Sequence, residues 1–246
     1  MQRADQFAYA CNQCGRCCRD QVITLSPYDL LRIARAAGIT TGAARRRYTS
    51  RRGSLLCFTD QGCAALEGMR CTVHRGRPLA CRLYPLGLQR DALGAETFLR
   101  LEPAPGSRGI YGEAGTVAAF IDAQGVGDYL SAIERYRRLL PIFRERIAAL
   151  VDFEAVEPGE FWRCAVREAL AETTFDPNPL IDALFDLDGL AAGDPERAEG
   201  FLPSIDRHVR ALSARIRLES TPQILAAAAI ILGVSLGYSP SAVICD

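Results

Sequence analysis

Apolar residues in this chain recur mostly at spacings of three and four, which predicts a mainly helical fold. The first clear case follows Ser26, where Leu30, Ile33, Ala34 and Ala37 share one face. Ser26 is expected at the N-cap, Pro27 at the first helical position, Asp29 near the positive end and Gly38 at the stop. A short second helix is expected from Thr41, read as its cap, through Tyr48. The strongest stripe lies in 127–150, with Tyr129, Ile133, Tyr136, Leu140, Phe143 and Ile147, and Pro141 should kink or break it. Residues 161–171, 180–187 and 205–218 are further candidate helices, with a break at Asp176-Pro177-Asn178-Pro179. A last helix is expected from Thr221-Pro222 to about Leu236. Its apolar run of about fourteen residues falls short of the roughly twenty that a membrane span needs, so it reads as a core helix. Residues 22–25 and 98–101 could be short strands.

Between these helical patterns, 102–116 is rich in Gly and Pro and reads as a linker or long loop. It divides the chain into a region of residues 1–102 and a helical region of residues 117–246. The first region is dominated by cysteine. Cys11, Cys14, Cys17 and Cys18 fall within one octet, and Cys63, Cys71 and Cys81 follow in a segment punctuated by Gly, Arg and Pro. Thiolates are the preferred ligands of zinc and of iron–sulfur clusters, and two intervening residues let the backbone fold tightly around a metal. Cys17 and Cys18 are adjacent, so their side chains diverge. That disfavours one simple tetrahedral zinc and favours a polynuclear cluster or two nearby metals. No positively charged start followed by an apolar run and a small-residue cleavage site is present, so a cytoplasmic protein with reduced thiols is expected rather than a disulfide framework.

At these residues the chain resembles the YkgJ-like family of proteins with a CxxCxxCC zinc- or iron-chelating domain. The resemblance rests on Cys11, Cys14, Cys17 and Cys18, then Cys63-Ala64-Ala65-Leu66, Cys71-Thr72-Val73-His74, Arg77-Pro78, Cys81-Arg82 and Pro85 after Tyr84. It covers roughly residues 9 to 90. It implies a small bacterial metal- or iron–sulfur-binding protein, with the seven cysteines as ligands. The remoter flagellin lysine methylases carry a similar cluster. Two positions depart from the pattern. His74 stands where such proteins commonly have Tyr. Ala104 stands where longer members of the family carry a further cysteine, for which Cys57 could substitute. Cys57 and His74 are therefore secondary ligand candidates, and Cys164 and Cys245 are read as incidental thiols.

The formal net charge is zero, but the first hundred residues hold sixteen Arg against seven acidic residues, and the chain contains no Lys. A basic half prompts a nucleic-acid reading. Clustered thiolates would offset part of that charge, with Arg16, Arg19, Arg70, Arg75, Arg77 and Arg82 placed near them in sequence and able to donate to sulfur. The Arg45-Arg46-Arg47 and Arg51-Arg52 runs read as a solvated helix end, and nucleic acid is not the expected partner. His208 reads as structural. No nucleotide loop, Ser-His-Asp order or paired-carboxylate signature is found.

The expected architecture is mainly α, with a small irregular cysteine-cluster domain packed on a helical C-terminal region. The expected function is binding of an iron–sulfur cluster or iron, alternatively zinc, in an accessory, redox or metal-carrier protein with a protein partner. A cluster-dependent protein- or peptide-modifying enzyme and a zinc-stabilised interaction module are the alternatives.

Overall fold

The computed structural model describes residues 1–19, 21–91, 93–170, 178–188 and 201–238. Helix accounts for about 51% of these residues and strand for about 17%, so the mainly α expectation holds. Ten α-helices are described: α1 (Pro27–Ala37), α2 (Thr41–Tyr48), α3 (Leu79–Leu83), α4 (Val117–Ala123), α5 (Gly127–Arg137), α6 (Leu140–Ala148), α7 (Pro158–Leu170), α8 (Pro179–Leu184), α9 (Leu202–Leu218) and α10 (Pro222–Ser235).

The local signals explain most of the helix ends. Ser26 Oγ accepts from Asp29 N and Asp29 Oδ2 accepts from Ser26 N, a reciprocal capping box, and Gly38 ends α1 in the left-handed region. The cap of α2 is Thr40, whose Oγ1 accepts from Ala43 N at 3.1 Å, and not Thr41. Thr41 is already helical, and its hydroxyl instead donates to Asp188 Oδ1 at 2.7 Å. The break expected near Pro141 falls between α5 and α6, with the proline inside the first turn of α6.

Helix α10 is apolar on every side and is accordingly enclosed by α6, α7 and α8. Leu225, Ala228, Ile231 and Leu232 are buried, and Ile224 is half-buried. No helix among the described residues is long and apolar enough to cross a membrane. The main core is continuous from Leu30 and Ile33 of α1, through Tyr129 and Tyr136 of α5, to Leu225 and Leu232 of α10. Within it Tyr136 Oη lies 2.7 Å from His208 Nδ1, and His208 Nε2 lies 2.9 Å from Ala183 O. His208 is structural, as its sequence context suggested.

The strands form five two-stranded antiparallel pairs: β1 (Gln6–Ala10) with β10 (Ile110–Thr116), β2 (Thr49–Ser50) with β3 (Leu55–Leu56), β4 (Phe58–Thr59) with β5 (Gly62–Cys63), β6 (Leu66–Glu67) with β7 (Arg70–Cys71), and β8 (Leu86–Arg90) with β9 (Glu96–Arg100). The expected strand at 98–101 is β9. The one expected at 22–25 is reduced to a bridge from Thr24 to Leu55. Much of the expected linker is also structured, because β10 occupies 110–116 and pairs with the strand just ahead of Cys11. The arginine runs are only partly solvated. Arg46 and Arg47 are exposed, but Arg45 bonds Asp182 at 2.7 Å, Arg51 donates to the Leu170 carbonyl, and Arg52 is buried. They join the α2 region to α7 and α8.

Candidate metal centre

Three chain segments and a loop converge on one cleft of about 670 Å³. The first segment, Cys11–Cys18, runs straight out of β1. Its backbone turns through Gln13 and Gly15 in the left-handed region and enters a 3-10 turn at Arg16–Cys18. The second segment is a pair of hairpins: β4–β5 places Cys63 opposite Phe58, and β6–β7 places Cys71 opposite Leu66. Glycines let these segments touch. A Cβ on Gly62 would lie 2.9 Å from the Cys18 carbonyl oxygen, and one on Gly15 would meet Met69 Cα at 3.4 Å. The third segment is α3, which carries Cys81. Cys11, Cys14, Cys17, Cys18, Cys63, Cys71 and Cys81 all line the cleft, as does His74.

Four of these cysteines repeat one local device. The backbone N–H two residues on points at the sulfur: Gln13 at Cys11 (3.4 Å), Arg16 at Cys14, Ala65 at Cys63 (3.4 Å) and Val73 at Cys71. Arg108 N reaches Cys14 Sγ at 3.5 Å from the loop before β10, and Asn12 Nδ2 returns a bond to Arg108 O at 2.6 Å. Three of the expected guanidinium donors, Arg19, Arg77 and Arg82, are engaged elsewhere. Arg82 donates to the carbonyls of Arg75, Arg77 and Gln124, Arg77 donates to Gln124 Oε1 and the His74 carbonyl, and Arg19 donates to the Gln61 carbonyl. A backbone donor is fixed by the turn itself, whereas a guanidinium on a long side chain must be ordered first.

The electrostatics follow from this placement. The Arg108 and Arg16 N–H groups lower the Cys14 thiol pKa, favouring the thiolate. A hydrogen bond from Cys18 lowers the Cys17 pKa to about 7, and the same bond holds Cys18 protonated. Burial raises Cys63, Cys71 and Cys81, and Cys81 is raised further by the neighbouring thiolates of Cys63, Cys71 and Cys17. Burial, then Arg77 and Arg82, depress His74. The inner thiols thus oppose one another's ionisation, and a bound cation reverses that opposition. All nine described cysteines are free thiols.

Soft donors with backbone N–H support suit zinc or iron. The sulfurs are gathered but not closed on one point: among the described residues, no three Cys, His, Asp or Glu side chains lie close enough together to hold one ion. Cys57 lies beside Cys63 in the chain fold, with its N–H on the Tyr48 carbonyl, but it does not line the cleft. Cys164 sits on α7, away from the cleft, and Cys245 falls outside the described residues. Sequence reasoning missed Arg108, because a backbone N–H leaves no mark in side-chain identity. It also read Asp29 only as a helix-start residue, although this carboxylate lines the cleft as well.

Comparison with curated proteins gave no match, and neither did comparison with solved structures. Residues 10–99 match the model of the CxxCxxCC family, whose description is "Putative zinc- or iron-chelating domain". The match includes all seven cysteines that line the cleft and ends before Arg108 and β10. Residues 10–99 of this chain are thus similar to the CxxCxxCC domain.

Proposed function

We propose that the chain holds a metal centre in the cysteine cleft, with Cys11, Cys14, Cys17, Cys18, Cys63, Cys71 and Cys81 as its ligand set. The observation that carries this reading is the repeated backbone N–H to sulfur bond at four cysteines that share one cleft. Such bonds stabilise thiolate over thiol and tune a bound metal. Seven sulfurs exceed what one tetrahedral ion takes, which favours an iron–sulfur cluster or more than one iron over a single zinc. Such a centre supplies electron storage or metal to be handed on, and the chain's own residues bind it, shield it and set the charge around it. The corresponding role is that of a cytoplasmic accessory, redox or metal-carrier protein working with a protein partner.

A second reading, an enzyme that modifies a protein or peptide beside the centre, is favoured by the cleft volume of about 670 Å³, which leaves room for more than a metal. Anaerobic purification with metal analysis and a visible spectrum tests the first reading. A coloured protein with iron and acid-labile sulfide is expected. A colourless protein loaded with zinc would move the function to a zinc-stabilised interaction module, and a protein that takes up neither metal would end the metal reading.

A further inference from the structure

Helix α3 has five residues, too few to be stable alone, and its N-cap Pro78 offers no side-chain acceptor to the first turn. The acceptor comes from fifty residues upstream, where Asp29 Oδ1 takes the Leu79 N–H at 2.7 Å. Asp29 is only 3% exposed. Its other oxygen, Oδ2, accepts from Ser26 N at 2.8 Å and from Ser26 Oγ at 2.5 Å. One carboxylate therefore caps two helices, α1 with one oxygen and α3 with the other. At the far end of α3, Arg82 donates to Gln124 O and Arg75 O at 2.6 Å each and lies 5.0 Å from the Tyr129 ring centroid. The helix is held at both ends by bonds to other segments, and Cys81 sits between them.

We propose that Asp29 is the positioning residue of the centre: by capping α3 from α1 it sets where the Cys81 sulfur enters the cleft. This rests on the thiolate-centre reading. Capping α1 alone requires only Oδ2, and burying a carboxylate is costly unless its oxygens are used. The second oxygen is used on the helix that presents Cys81. Helix N–H groups favour negative charge at that point, which makes a carboxylate the effective cap.

Chemistry separates the two roles. In Asp29→Asn only one oxygen accepts, so either the Ser26 or the Leu79 N–H faces an NH2 group. Ser26→Ala weakens the α1 cap and leaves the bond to Leu79. Leu79→Pro deletes the donor instead, at a first helical position that accepts proline, and leaves both Asp29–Ser26 bonds of the α1 cap in place. The full chain and the three variants are titrated with Co(II), followed by the thiolate-to-cobalt charge-transfer band, and with Zn(II) against a chelator. Alkylation of Cys81 in the metal-free proteins is followed by mass spectrometry. Asp29→Asn and Leu79→Pro are expected to weaken metal binding by about 10–100-fold, the usual cost of losing a group that orients a ligand. Both should also speed Cys81 alkylation, while Ser26→Ala lowers the melting temperature but changes neither readout. Parent-like affinity and alkylation in Leu79→Pro would overturn the proposal, as would changes in all three variants that merely track melting. If the parent binds neither metal, the thiolate-centre reading fails, and the alkylation rates alone decide whether Asp29 positions Cys81.

Discussion

Replacing Gly76 by Ala should loosen the cysteine cleft without touching a cysteine. Gly76 is buried in the 3-10 turn His74–Gly76, between Cys71 and Cys81, where its N–H bonds the Val73 carbonyl at 2.8 Å. A Cβ there would lie 2.0 Å from the Arg32 carbonyl oxygen and 2.7 Å from Ala36 Cβ, both on α1. An ordinary carbon-to-oxygen approach is about 3.3–3.6 Å, so the turn or the helix must retreat by more than about 1 Å. Both are backbone, and α1 is fixed by its capping box. Overpacking of this kind costs about 1–3 kcal/mol, and a clash with backbone belongs at the upper end. At about 2–4 °C per kcal/mol for a chain of this size, melting should fall by roughly 6–12 °C. The control is Gly127→Ala, where no atom lies within 4 Å of the added Cβ. That change should be neutral or stabilising, by about 0.4–1 kcal/mol. The assay is thermal unfolding by circular dichroism, with the metal-to-protein ratio measured on the same preparations. Gly76→Ala should also bind less metal, because the turn that shifts connects two ligands. If Gly76→Ala melts with the parent, the close approach of this turn to α1 is wrong, and with it the account of how α1 braces the site.

Cys14→Ser or Cys71→Ser should lower metal content and destabilise the N-terminal half, while Cys164→Ser on α7 should do neither; unchanged metal-to-protein ratios in the first two would remove them from the ligand set. Leu232→Ala, at a side chain with no exposed surface, should cost about 2–5 kcal/mol in denaturant unfolding, and a cost below that range would mean α10 is not enclosed. Burial depresses the His208 pKa from 6.5 to about 4, so the neutral ring contributes fully above pH 6.5 and is progressively lost as pH falls toward 4, where the unfolded chain takes the proton first. That contribution amounts to about 3 kcal/mol, and the difference in melting between the parent and His208→Gln should shrink over that window; a difference independent of pH would show that His208 does not titrate in this way.

The helices were legible where their signals are local. Ser26, Pro27 and Gly38 bound α1 within a dozen residues, and Pro141 marks the α5–α6 break in its own first turn. Thr40 and Thr41 show the limit of that reading. Either hydroxyl can cap, and the choice fell to Thr40 because Asp188, far along the chain, takes the Thr41 hydroxyl. The segment 102–116 misled in the same way. Its glycines signal irregular backbone, yet 110–116 is held as a strand by its pairing with Gln6–Ala10, a contact between ends of the cysteine region that no local window contains.

The candidate site divides along the same line. Spacing named the thiols, because ligand type and turn geometry are written in adjacent residues. The groups that support the thiols are distant or carry no side-chain signature: the Arg108 N–H at Cys14, the Gln124 carbonyl at Arg82, and Asp29 at the head of α3. The arginines close to the cysteines in sequence drew attention by their charge, yet Arg82 and Arg77 spend their donors on carbonyls and an amide that fix the loop between Cys71 and Cys81. For Arg77 and Arg82, charge near a thiolate in sequence is therefore a poor guide to what touches the sulfur. The sulfurs receive backbone N–H groups, whose direction is set by the turns, and the guanidiniums hold those turns in place. Loss of Arg82 should accordingly act through the geometry of the 75–82 loop before it acts through charge.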